Sequence, residues 1–102
     1  MKRISQWALG GAMVLSATLA AAQGQDIQAR AWAASCAGCH GTQGISLGGI
    51  ASLAGVDKAQ LHQKLIAYKK GTLPATVMHQ HTLGYTDMEL ERLADFFSRQ
   101  PR

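Results

Sequence analysis

Cys36-Ala37-Gly38-Cys39-His40 places two thiols and an imidazole within five consecutive residues. On a helix, Cys36 and Cys39 project from one face a single turn apart, and His40 lies on the same side one turn after Cys36. Two thiols so spaced can reach the two vinyl groups of one porphyrin while the imidazole reaches its iron. C-x-x-C-H is the attachment pattern of a c-type haem. Two other chemistries use parts of this set. A C-x-x-C pair can be a redox dithiol or a disulfide, but such pairs usually follow a strand, and the residues before Cys36 form an Ala-rich helical run. The three groups could also be half of a structural zinc site completed by another histidine, although the sequence holds no second Cys pair.

The redox compartment bears on that choice. Met1-Lys2-Arg3 is followed by an apolar stretch from Ile4 to Leu19 and by Ala20-Ala21-Ala22-Gln23. A charged start, an apolar middle and an A-x-A site predict a secretory signal peptide over residues 1–22, cut after Ala22. The alternative, an uncleaved membrane anchor, has a span of marginal length interrupted by Ser5, Gln6, Ser16 and Thr18. The expected location is the periplasm, with no membrane insertion after cleavage. There, free thiols tend to oxidise, but Cys36 and Cys39 close too small a loop for a disulfide to stabilise much. Thioether bonds to a haem would use both permanently.

Removing 22 residues from 102 leaves 80, a single domain over residues 23–102 with a small core. Domains of that size usually need a disulfide, a metal or a cofactor to hold them together. A covalently held porphyrin is a large apolar plate on which short helices can pack. Ten Lys and Arg face six Asp and Glu, and loss of Lys2 and Arg3 reduces the excess to +2. No basic stripe interleaved with aromatics is present, so nucleic-acid binding is not indicated.

The positioning elements read as helices. Asp26 to Ser35 is rich in helix formers with Asp26 as N-cap, and Gly41 suits the helix end. Trp32, Cys36 and His40 fall at i, i+4 and i+8, so Trp32 either shares the haem-facing side or is ordinary core. Gly41 to Val56 carries five glycines in sixteen residues and reads as a loop, with Ile45, Leu47, Ile50 and Leu53 at irregular spacing. Asp57 caps a second helix, Val56 and Leu61 form its staple, and Leu61, Leu65 and Tyr68 make a buried stripe. Lys69, Lys70 and Gly71 fit its end. Lys58, Lys64, Lys69 and Lys70 make this region basic, a solvated face or a docking surface, and His62 reads as a surface residue. Thr86-Asp87-Met88-Glu89 is a capping box for a last helix, Tyr85 and Leu90 are its staple, and Leu90, Leu93 and Phe97 form its apolar stripe. With no strand pattern, the fold class is all-α with three main helices.

A second axial ligand would come from Gly71 to Tyr85, an irregular segment between two capped helices that Pro74 keeps from extending the second helix. It offers Met78, His79 and His81. A thioether favours reduced iron and raises the potential, whereas a second imidazole lowers it. Met88 lies in the first turn of a capped helix, its backbone direction already fixed, so Met78 is the better placed methionine. His79 and His81 stay open as alternatives.

Together these residues resemble the class I c-type cytochromes. The resemblance is carried by Cys36-Ala37-Gly38-Cys39-His40-Gly41, by Ile50-Ala51-Ser52-Leu53-Ala54-Gly55, and by Met78 followed by Gly84-Tyr85-Thr86-Asp87-Met88-Glu89-Leu90. Tyr68-Lys69-Lys70-Gly71 and Ala75 to Gln80 look more narrowly like the haem subunit of flavocytochrome c sulfide dehydrogenases. The resemblance implies a cytochrome c fold around one haem c, held by Cys36 and Cys39, with His40 proximal and Met78 distal. It also implies crossed first and last helices, with Ala29, Trp32, Leu93 and Phe97 filling the crossing. Where the family usually has a proline near the carbonyl that accepts the proximal imidazole N–H, this chain has Gly48, Gly49 and Ala51. The function expected is one-electron transfer without chemistry on a substrate, to or from a redox partner protein such as a flavoprotein that oxidises sulfide. A ligand sensor or peroxidase-like protein with a displaceable distal ligand is the competing class.

Overall fold

The computed structural model describes residues 25–102, so the signal-peptide expectation for residues 1–22 lies outside the described residues. Five α-helices and one 3₁₀ turn follow in order, and no strand occurs among the described residues: α1 Ile27–Ala34, α2 Ala37–His40, the 3₁₀ turn Thr42–Gly44, α3 Lys58–Lys70, α4 Met78–Leu83 and α5 Asp87–Ser98. The chain is all-α, as expected. The three main helices are α1, α3 and α5; α2 and α4 are short additions.

Local side-chain chemistry starts the three main helices. Asp26 accepts the Ala29 N–H at 3.0 Å, Asp57 accepts the Gln60 N–H at 3.1 Å, and Thr86 and Glu89 form the reciprocal capping box. Gly71 ends α3 in the left-handed conformation (φ 77°, ψ 13°).

The core lies where α5 meets α1 and α3. Ala33, Leu61, Leu90, Leu93, Ala94 and Phe97 form it, with Trp32, Cys36, Leu53, Val56, Leu65, Ile66, Tyr85 and Phe96 packed around. Ala29 and Ala33 are the buried residues of α1, so its backbone can approach α5 closely. An ion pair ties the same two helices. Arg92 Nε and Nη2 each donate to a different oxygen of Asp26 at 2.7 Å, a bidentate arrangement. The guanidinium carbon also lies 4.7 Å from the centre of the Trp32 ring.

The helical winding changes between Trp32 and His40. The backbone stays right-handed through Ser35 and Cys36, but the bonds tighten to i−3: Cys36 N–H donates to Ala33 O at 3.0 Å, and Cys39 N–H to Cys36 O at 3.3 Å. This tighter winding separates α1 from α2 and shifts the phase between them. Trp32 and Cys36 both pack against the core, Trp32 edge-on to Tyr85 at 6.0 Å.

Candidate functional site

Cys36, Cys39 and His40 sit on a single turn held by His40 N–H to Cys36 O at 2.9 Å and Gly41 N–H to Ala37 O at 3.0 Å. The three expected groups are therefore brought together. Both cysteines are free; Cys36 is half-buried and Cys39 exposed. Burial pushes the Cys36 thiol above its usual range; a hydrogen bond with Ser35 opposes this, and the neighbouring Cys39 adds to it.

His40 is oriented from across the loop. Its Nδ1 lies 2.8 Å from the carbonyl oxygen of Ala51. A carbonyl can only accept, so Nδ1 carries the proton and Nε2 keeps its lone pair for a ligand. A hydrogen bond of this kind fixes ring direction and raises donor basicity at metal sites. The loop thus supplies the carbonyl without a proline. Sequence reading placed Ala51 in the neighbourhood but could not single it out, since it is eleven residues from His40 in a stretch without periodicity.

Two glycines shape that loop. Gly41 adopts φ 83°, ψ 163°, a combination essentially confined to glycine. Gly44 is buried at φ 80°, and its carbonyl accepts from Leu53 N–H at 2.8 Å and Ala54 N–H at 3.1 Å. These bonds draw the chain after Ala51 back toward α2.

Met78 is not on an irregular segment, as expected, but is the first residue of α4, packed against α3. The contrast drawn with Met88 changes accordingly, since both begin a helix. Met78 is half-buried, whereas Met88 is 72% exposed. His79 is half-buried with Nδ1 shielded and without a partner, while His81 is exposed. His62 departs from its expected surface role: it is half-buried, and its Nε2 is also shielded and unpartnered. The basic face is partly neutralised, with Lys69 2.9 Å from Asp87 and Lys58 3.3 Å from Glu91.

These residues suit a haem better than the alternatives. Two free thiols and an imidazole with a free Nε2 are the donor set that covalent haem attachment requires. Large apolar side chains, Ile45, Leu47, Ile50, Val77 and Leu83, remain exposed on the loop after His40 and around α4, as suits contact with an apolar macrocycle. Among the described residues no group of three or more His, Cys, Asp or Glu side chains is placed to hold a metal ion, which does not favour the zinc reading.

Sequence reading missed two further contributors. Arg92 clasps Asp26 from 66 residues away, beyond the reach of any local pattern. Thr82 is buried on α4, and its hydroxyl donates to the Met78 carbonyl at 2.9 Å. A threonine four residues after Met78 on a helix is the signal that could have found it.

No family model matches the chain. Over 63 residues it is 43% identical to a protein of Chlorobaculum tepidum described as the cytochrome subunit of sulfide dehydrogenase, a match covering 62% of this chain. The chain spans 57% of that relative's length. Over the matched residues the chain resembles that subunit, and its all-α architecture is consistent with the likeness.

Proposed function

We propose that this chain is an exported one-electron carrier holding a single c-type haem through Cys36 and Cys39, with His40 as proximal and Met78 as distal iron ligand. The observation that carries the reading is the turn with two free thiols beside an imidazole whose Nδ1–H is held by Ala51 O. When bound, the haem supplies an iron that alternates between Fe(III) and Fe(II). The protein's part is to hold that iron's surroundings constant between the two states. The Ala51 carbonyl keeps the His40 ring from rotating, and α4, packed on α3, carries Met78 as its first residue. The relative's description as a cytochrome subunit of sulfide dehydrogenase supports a further step, in which this chain takes electrons from a partner flavoprotein that oxidises sulfide.

Protein matured in a periplasm should give reduced-minus-oxidised c-type haem bands, and their absence would overturn the reading. Met78→Ala should abolish the sulfur-to-iron absorption and lower the midpoint potential. Pull-down from native periplasm should recover a flavoprotein in stoichiometric amount; recovery of the carrier alone would remove the subunit assignment and leave the carrier function standing.

A further inference from the structure

Thr82 is the one buried polar residue among those described, at 2% exposure. Its Oγ1 is 2.9 Å from Met78 O and 3.3 Å from His79 O. The hydroxyl has one proton to give, and both carbonyls lie within its reach. Thr82 therefore ties down the backbone of two of the three residues of α4 that could serve as ligands to iron.

The tie acts on a short helix whose start otherwise rests on packing against α3 and on the bonds from Gln80 and His81 N–H to the Val77 carbonyl. Spanning only six residues, α4 is preceded by Val77 at φ −133°, ψ −24°, with no side-chain cap. So short a helix is not stable by itself. Neighbouring helical residues project about 100° apart. A rotation of about 100°, or an unwinding of the first turn, would therefore present His79 where Met78 had been. His79 also has a shielded Nδ1 with no partner. An unpartnered buried nitrogen costs free energy, so hydrogen bonding does not hold this ring in its present place.

We propose that Thr82 is a positioning residue that selects Met78 over His79 as the distal ligand, by holding the carbonyls of both. The proposal rests on the His40 and Met78 ligation proposed above. Thr82→Val keeps the branched shape and removes the donor; Thr82→Ser keeps the donor. The test uses matured holoprotein and two readouts, the sulfur-to-iron absorption and the midpoint potential. Thr82→Val should lose at least half of that absorption, with a lower potential, and Thr82→Ser should retain both. Thr82→Val combined with His79→Ala should regain the methionine signature, because the competing ligand is gone. Wild-type absorption and potential in Thr82→Val, alongside their loss in Met78→Ala, would overturn selection by Thr82 while leaving Met78 as ligand. Loss in Thr82→Val without recovery in the double variant would reduce Thr82 to a structural role and equally overturn it. Retention of the absorption by Met78→Ala would remove the ligand assignment itself, and the proposal with it. If Thr82→Val does not assemble, Thr82→Ala is compared with Thr82→Ser, and identical spectra in that pair overturn the proposal.

Discussion

At the scale of single residues, the site depends on backbone conformations that few side chains tolerate. A Cβ on Gly41 would run into the carbonyl of Ile45, at a φ of +83° that already strains any other residue. Gly41→Ala should destabilise the folded protein by about 1–3 kcal/mol and lower the yield of haem-loaded protein, as read by thermal unfolding and by the ratio of haem to protein absorbance. Gly44→Ala should cost stability too, since Gly44 also sits at positive φ (+80°) and its Cβ would stand 2.8 Å from Phe97 Cδ1 and disturb the core. The chemistry of the Cys36–His40 turn was legible in the sequence because its three groups fall within five consecutive residues. The partner of His40 was not, because a carbonyl belongs to every residue and only the folded loop selects Ala51.

At the scale of helices, caps and stripes were readable and couplings between helices were not. Asp26, Asp57 and the Thr86–Glu89 box act within three residues of themselves, so sequence predicts them. Helix α4 carries no cap and is too short to show a period, which is why an irregular segment was expected there. In α5, Leu90 is 1% exposed, and Leu90→Ala should destabilise by about 2–5 kcal/mol, measurable by denaturant titration. The clasp between α1 and α5 gives a prediction in pH. The Arg92 hydrogen bond foremost, then the Ala29 N–H, holds the Asp26 carboxyl at about 2 instead of 3.8. The unfolded chain therefore takes up this proton first as the solution is acidified. The clasp stabilises fully above pH 3.8, and its contribution is lost as pH falls through about 2. Wild type should melt higher than Asp26→Asn at neutral pH, and the gap should close on acidification over that window. A gap independent of pH would sink this account.

At the scale of the whole molecule, the fold class was legible because period and capping agree along the chain, and the small core was legible from the chain length, but which residues fill it was legible only in part. Of the eight buried hydrophobic residues among those described, four are alanines, leaving Leu61, Leu90, Leu93 and Phe97 as the large ones. Leu47, by contrast, is 99% exposed. A core so small gives little stability at this chain length. The Cys36→Ala/Cys39→Ala protein, unable to bind haem covalently, should show a broad, low-temperature loss of helical circular dichroism, whereas matured protein should unfold sharply and much higher. The unequal setting of the two cysteines also constrains timing. Cys36, just past α1, is half-buried against the core, while Cys39 on the same turn is exposed. Once α1 has docked on α5, one sulfur is within reach of an assembly enzyme and the other is shielded. Under the haem attachment proposed above, bond formation at Cys36 competes with folding, so a protein that folds too quickly would forfeit its own maturation.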